Sequence, residues 1–312
     1  MDGLKLTFIR GTRRLTRTVI WYRYALLLIA GSYALVSLLL YAIFRLAIIL
    51  HRPKPEKRTS QDGSKHKRRK GHLLVVLGSG GHTSEMFSIL ENLGPEYLDS
   101  RFDKRTWVVS SGDAFSAERA KKFEDWMGQR SSSRSRWDIA TVHRAREIHQ
   151  PLYTAPISCL KCLWDCIQAL RGTHRDQKST SNGAQSKTGG GGAATTPYPD
   201  LILTNGPATA VILILASMVL MFFGLAPINP GTEAGGAMRS IYIESWARVK
   251  TLSLSGKILR YFAGRFLVQW RGGLEDVDLT RVTRNSSDGQ DLAVVKAKAW
   301  SKQIEYVGPV VT

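Results

Sequence analysis

Hydrophobic residues fall in two unlike arrangements along this chain. Near its start, Tyr24 to Phe44 (YALLLIAGSYALVSLLLYAIF) runs without a charge. At about 1.5 Å rise per residue, a run of that length crosses a hydrocarbon core roughly 30 Å thick. Arg45 can snorkel toward headgroups, and Trp21, Tyr22, Tyr24 and Tyr41 suit interfacial depths. The apolar core of a cleaved signal peptide is shorter, about 7–15 residues. This run ends instead in HRPKPEKR, which reads as a stop-transfer flank. The pattern predicts a basic segment over 1–23, a retained transmembrane anchor over 24–50 and a basic linker over 51–70.

From residue 71 the pattern changes. Short apolar runs recur at HLLVVL (72–77), TWVVS (106–110), WDIATVH (137–143), DLILTN (200–205), SIYIES (240–245) and RFLVQW (265–270). Each reads as a buried strand. Helical spacing lies between them, over Ser116 to Met127, Leu152 to Arg171, Pro207 to Gly224 and Ser253 to Ala263. Single apolar strands alternating with helices predict an α/β fold, a Rossmann-like parallel sheet covered on both faces, over 71–312. Gly128 to Arg136, Asn229 to Ala237 and Thr280 to Asp291 read as loops, and the polar, GGGG-containing stretch over 172–199 as a disordered insertion. Pro207 to Pro227 is apolar enough for a second crossing. A crossing there would part SIYIES and RFLVQW from their sheet and leave strand edges unpaired. It is expected as a helix of the domain, with one face able to dip into lipid.

Charge bears on partners. The net charge is +19, but residues 1–70 carry 16 Lys and Arg against three acids. The remaining chain holds 28 basic and 22 acidic residues. Most of the excess therefore flanks the anchor, as at an anionic membrane surface, and no nucleic-acid motif follows. Six basic residues precede the apolar run and, beyond Arg45, nine follow it up to Lys70. The richer flank places the globular domain in the cytosol. The sequon Asn285-Ser286-Ser287 would be silent there. The three cysteines, Cys159, Cys162 and Cys166, share one helix face. A closed zinc site wants about four ligands, so packing residues in a reducing compartment is the expectation, and no metal centre is.

The candidate chemistry sits in the strand-to-helix turns. Gly78-Ser79-Gly80-Gly81-His82-Thr83 lets backbone N–H groups and a helix N-terminus approach a phosphate or diphosphate, with Thr83 or Ser84 as cap. A tight turn without a ligand is the alternative. Walker spacing is absent, and the dinucleotide pattern fails at Thr83, which argues against a nicotinamide cofactor. His82 could take a proton from an attacking hydroxyl, or could only hydrogen-bond its loop. Arg144 and Arg146 follow the third strand, where guanidiniums suit a diphosphate. Asn205, Gly206 and Thr209 follow the fourth strand, and Glu244 and Ser245, with Arg248, the fifth. All converge on one sheet edge, where open α/β sheets bind ligands.

These motifs together, LVVLGSGGHTSEM, PDLILTNGPAT, IYIESWARVKTLSLSGKIL and FLVQW, resemble the membrane-anchoring subunit (Alg14-like) of the two-component UDP-N-acetylglucosamine transferase of the dolichol pathway. Arg144-x-Arg146 with Gln150, and Ser110 to Ser116 with Asp113, fit as well. The resemblance implies the acceptor-binding half of a split GT-B enzyme at the endoplasmic reticulum membrane, continuous with the nuclear membrane. A soluble UDP-GlcNAc-binding catalytic subunit (Alg13-like) would supply the donor half, and no other cofactor is implied. The complex would add the second N-acetylglucosamine to dolichyl-diphosphate-GlcNAc by inverting, β1,4 transfer. His82 becomes the candidate base, and residues 303–312 the partner-docking tail. Two rival readings remain: a pure anchor without a part in the chemistry, and a stand-alone nucleotide-dependent membrane enzyme.

Overall fold

The computed structural model describes residues 2–52, 69–130, 135–146, 150–151, 153–177, 197–206, 208–228, 235–270, 279–284, 293–297 and 304–306, with side chains from 21 to 270. Residues 1–54 and 55–312 form two compact units. The first is one helix, α1 (Asp2–Leu50), so the basic segment and the apolar run share one helix. Trp21–Leu50 is long and apolar enough to cross a membrane.

The second unit is built on a sheet. Its strands and helices are β1 (Gly71–Val76), α2 (Gly81–Leu93), α3 (Pro95–Arg101), β2 (Phe102–Ser110), α4 (Ala114–Arg130), β3 (Arg136–Val142), α5 (Ala155–Leu170), β4 (Leu201–Asn205), α6 (Ala208–Phe222), β5 (Arg239–Ile243), α7 (Leu254–Leu259) and β6 (Arg265–Val268). The six strands pair in parallel in the order 3-2-1-4-5-6. That is the doubly wound order, with its reversal between β1 and β4. The expected α/β, Rossmann-like fold is present, with each strand inside one of the apolar runs or overlapping it.

Three further strands correct the reading of the C-terminal region. β7 (Leu279–Arg284), β8 (Ala293–Ala297) and β9 (Ile304–Tyr306) extend the sheet beyond β6 in the order 6-9-8-7. β9 pairs parallel to β6, and the β7–β8 and β8–β9 pairs are antiparallel. β7 occupies the start of a stretch expected as a loop, because the apolar residues of LTRVTR, Leu279 and Val282, stand three apart and give neither an unbroken run nor a strand's alternation. β9 lies within the tail expected to dock on a partner; residues 303 and 307–312 of that tail, like the sequon, lie outside the described residues.

One core face gathers around Phe87, Trp107 and Phe123, whose rings lie 5.2–5.5 Å apart. Beside it Arg105, 3% exposed, donates through Nε and Nη2 to Glu124 at 2.8 and 2.7 Å and through Nη1 to Asp99 at 2.7 Å. Trp107 Nε1 donates to the same Glu124 carboxylate at 2.8 Å. On strand β1, His72 is buried and its Nε2 lies 2.8 Å from Thr106 Oγ1. Burial, with Lys104, Arg136 and Arg69 nearby, pushes its imidazole down to about 3.

Helix α6 connects neighbouring parallel strands and buries ten of its 15 residues. At about 22 Å it is too short to cross a bilayer. Exposed apolar side chains include Phe223 and Leu225 just past α6, and Tyr153, Ile157, Leu160 and Trp164 on α5 and the two residues before it. The opposite face of α5 buries Cys162 and Cys166, while the half-buried Cys159 thiol donates to the Ala145 carbonyl at 3.2 Å. The start of the expected insertion is folded onto the edge strand β3. Asp176 accepts from the Thr141 N–H at 2.9 Å, and buried Gln177 donates to Asp138. Residues 178–196 of it lie outside the described residues. On the far side, Tyr198 donates to the Leu225 carbonyl at 2.6 Å, and Asp200 accepts from Arg69, the His72 N–H and the Gly236 N–H.

Candidate functional site

Strand β1 ends at Val76 and the chain turns through Leu77 and Gly78-Ser79-Gly80 into α2. Gly80 has φ 65°, a left-handed conformation that suits glycine, and a Cβ at Gly80 or Gly81 would meet nothing within 4 Å. Ser79, Gly80 and Gly81 are exposed. No side chain caps α2, contrary to the cap expected from Thr83 or Ser84. Thr83 is fully buried instead; its hydroxyl donates back to the Gly78 carbonyl and lies 2.7 Å from Ser116 Oγ. Thr83 therefore shapes the turn from inside. The glycines leave an exposed backbone surface at the positive end of the α2 dipole, a position that favours an anion.

The turn after β2 braces this loop from one side. Asp113 accepts from the Ser116 N–H at 3.1 Å and from its hydroxyl at 2.7 Å, at the start of α4. Ser110 Oγ lies 3.1 Å from Thr209 Oγ1, tying the end of β2 to the start of α6. Thr209 is 4% exposed, so it too points inward. Arg144 reaches the same turn, donating from Nε to the Ser111 carbonyl at 2.9 Å. Arg146 is exposed and donates to the Gln150 carbonyl at 3.3 Å, toward the start of α5.

At the reversal between β1 and β4 the chains meet closely. Gly206 has φ 81°, and a Cβ there would lie 2.5 Å from both Cε1 and Nδ1 of His82. The imidazole therefore rests on the backbone of β4's turn, with about a third of its side chain exposed. Its Nδ1 is buried without a hydrogen-bond partner. Asn205 is wholly buried, and both its carboxamide nitrogen and oxygen also lack partners. Unpaired buried polar atoms cost about 1–3 kcal/mol each. Pro207 of this turn lies outside the described residues.

The floor of the site is acidic, and only part of it was expected. Glu244, 2% exposed, accepts from the Ser253 N–H at 3.3 Å, the Ser253 hydroxyl at 3.1 Å and the Ser245 N–H at 3.2 Å. It is a structural tie facing the interior, and burial raises its carboxyl above the usual range. The neighbouring Tyr242 phenol, 3.2 Å from Ser253 Oγ, is likewise raised by burial. Ser245 donates to Glu85 Oε2 at 3.3 Å. Glu85 is the residue that pattern reading passed over. It is 8% exposed and accepts from the Trp246 N–H at 2.7 Å and from Gln269 Nε2 at 2.5 Å. One carboxylate on the first turn of α2 thus joins the turns after β5 and β6. The available signal was an acid three residues after His82, on the same helix face.

Among the described residues, the turns after β1, β4, β5 and β6 come together around His82 and Glu85, the turn after β2 braces them, and Arg146 stands apart. No group of three or more His, Cys, Asp or Glu side chains there is placed to hold a metal ion. Residues 73–281, the span holding these turns, match the family model described as oligosaccharide biosynthesis protein Alg14 like. The chain belongs to this family. It is 38% identical over 259 residues to the UDP-N-acetylglucosamine transferase subunit alg14 of Aspergillus fumigatus, covering 72% of this chain and all of that protein. It is 36% identical to the subunit ALG14 of Cryptococcus neoformans, over 77% of this chain and 92% of the relative. With the human subunit ALG14 it shares 30% identity, over 64% and 74%. No solved structure matches the chain.

Proposed function

We propose that this chain is the acceptor-side subunit of a UDP-N-acetylglucosamine transferase that builds the lipid-linked precursor of N-glycans. The observation that carries the reading is the uncapped, glycine-lined N-terminus of α2, with His82 seated beside it at the sheet's reversal. Family membership supplies the reaction. The acceptor's diphosphate lies on the exposed backbone of Ser79 to Gly81, with Arg144 beside the neighbouring turn adding positive charge. His82 stands where it can take the proton of the acceptor hydroxyl. Oxygen then attacks C1 of the donor sugar, and UDP leaves with the bonding pair.

One doubly wound sheet supplies one wall of such a cleft. A soluble partner supplies the other wall and binds UDP-GlcNAc, and no other cofactor takes part. Helix α1 anchors the chain in the endoplasmic reticulum membrane, with the sheet domain on the cytosolic side. The anchor confines the enzyme to the plane of its lipid acceptor and raises their effective concentration.

The test is reconstitution of the full chain with a co-purified soluble partner and a short-chain diphosphate-GlcNAc acceptor. His82→Ala is expected to lower kcat about 10²–10⁴-fold, the contribution of a general base, while the partner still co-purifies. Full activity in that variant refutes the role of His82. If changes at the glycine turn and at Arg144 also leave transfer intact, the chain only anchors its partner.

A further inference from the structure

We propose that Glu85 is the positioning residue of His82, forming with it a histidine–carboxylate pair on one turn of α2; this rests on the proposed role of His82 as base. Glu85 Oε2 lies 4.0 Å from His82 Nδ1, the ring nitrogen that is buried and has no hydrogen-bond partner. The carboxylate cannot swing away. Oε1 is held by the Trp246 N–H and Gln269 Nε2, and Oε2 by the Ser245 hydroxyl. The backbone of Gly206 lies against the Cε1–Nδ1 edge of the same ring and limits its movement. Binding of the acceptor closes the remaining gap to hydrogen-bond length, as catalytic hydrogen bonds often tighten only when substrate binds.

The pairing fixes chemistry through the tautomer. A carboxylate is acceptor-only, so Nδ1 must carry the hydrogen that faces it. Nε2 then carries a lone pair and can accept the proton of the acceptor hydroxyl. The imidazolium so formed is balanced by the adjacent carboxylate. Holding the tautomer and stabilising the charged ring is the work of the acidic member in histidine-based triads. Burial of Glu85 between three turns also makes the pair sensitive to how those turns are assembled.

Glu85→Gln tests this with little change of shape. The carboxamide oxygen of that variant can still accept from Trp246 and Gln269, which leaves the amide NH₂ directed at His82 Nδ1. Nδ1 must then act as acceptor, and Nε2 carries the hydrogen and cannot serve as base. In the full chain reconstituted with its partner, kcat is expected to fall at least about 10²-fold. The KM for the acceptor and partner co-purification should stay within about threefold of the parent. ¹⁵N-histidine spectra of the full chain, assigned by difference against His82→Ala, are expected to show the Nδ1–H form in the parent and the Nε2–H form in Glu85→Gln.

Unchanged kcat in Glu85→Gln overturns the inference, as does an Nε2–H tautomer in the parent, which can be read even if the variant fails to fold. A fall in kcat without a change of tautomer assigns Glu85 a purely structural part and overturns it too. His82→Ala separates the two readings. If that variant stays active, the role of His82 itself has failed; if it is inactive while Glu85→Gln is not, only the pairing has.

Discussion

The contact between Gly206 and His82 makes Gly206→Ala a quantitative probe of the site. At φ 81° an alanine occupies the left-handed region, which costs an L-residue about 1–2 kcal/mol. Its Cβ would also stand 2.5 Å from two ring atoms of His82. Carbon contacts settle near 3.5–4.0 Å, so the ring must withdraw by about 1 Å. A misplacement of about 1 Å costs on the order of 10²-fold in rate. The expected variant is therefore folded, destabilised by about 1–2 kcal/mol, and reduced about 10²-fold in kcat. Its KM for the nucleotide sugar should be unchanged if, as proposed, the partner binds the donor. Steady-state transfer by the reconstituted complex measures this, and denaturant titration of the full chain measures the stability. A double-mutant cycle checks the route of the effect. If Gly206→Ala acts through the ring, adding it to His82→Ala should cost almost nothing further. A Gly206→Ala enzyme with kcat within about threefold of the parent would refute the reasoning.

Three other outcomes follow from the fold. The His72 imidazole is depressed to about 3 when folded, against 6.5 when free, so it favours the folded state fully above pH 6.5 and progressively less as pH falls toward 3. By linkage the loss between pH 7.5 and 5 is about 2 kcal/mol. Denaturant midpoints of the parent should fall by that much more than those of His72→Gln, and parallel pH profiles would count against it. Glu124→Ala leaves the Arg105 guanidinium buried with half its partners. It should cost about 3–5 kcal/mol in chemical denaturation, and a loss under about 1 kcal/mol would show the pair to be inconsequential. Gly256→Ala drives a Cβ into Glu244 Oε2 and must displace that carboxylate from Ser253. A drop of about 1–3 kcal/mol in stability is expected, and an unaltered unfolding midpoint would argue against it.

The sequence pattern located what repeats and missed what is assembled. Strands β1, β2 and β4 announce themselves because strands buried on both faces need unbroken apolar runs, whereas β3 and β6 show the alternation of half-buried strands. The glycine turn and Asn205-Gly206 were legible for a related reason: strand-to-helix turns of this order meet at one edge. Direction was not legible. Thr83, Thr209, Glu244 and Ser245 were expected to contact ligand, yet each turns inward, and polar residues at a strand end look alike whichever way they face. Glu85 was overlooked because its partners, Ser245, Trp246 and Gln269, lie at least 160 residues away. β7 was missed because its two apolar residues, Leu279 and Val282, stand three apart, which gives neither an unbroken run nor a strand's alternation.

The two clamps on either side of the polar insertion have a consequence for how the chain tolerates change. Asp176 and Gln177 fasten its first root to β3, and Tyr198 and Asp200 fasten its second near the entry to β4. These bonds do not reach the turns that hold His82, Glu85 or Asn205. With both ends fixed, closing any flexible linker between them costs only about 0.6 kcal/mol more for each doubling of its length. A flexible segment spliced in between the two roots is therefore expected to cost less than about 1 kcal/mol and to leave the site undisturbed. The roots, and the distance between them, are what an inserted reporter must preserve.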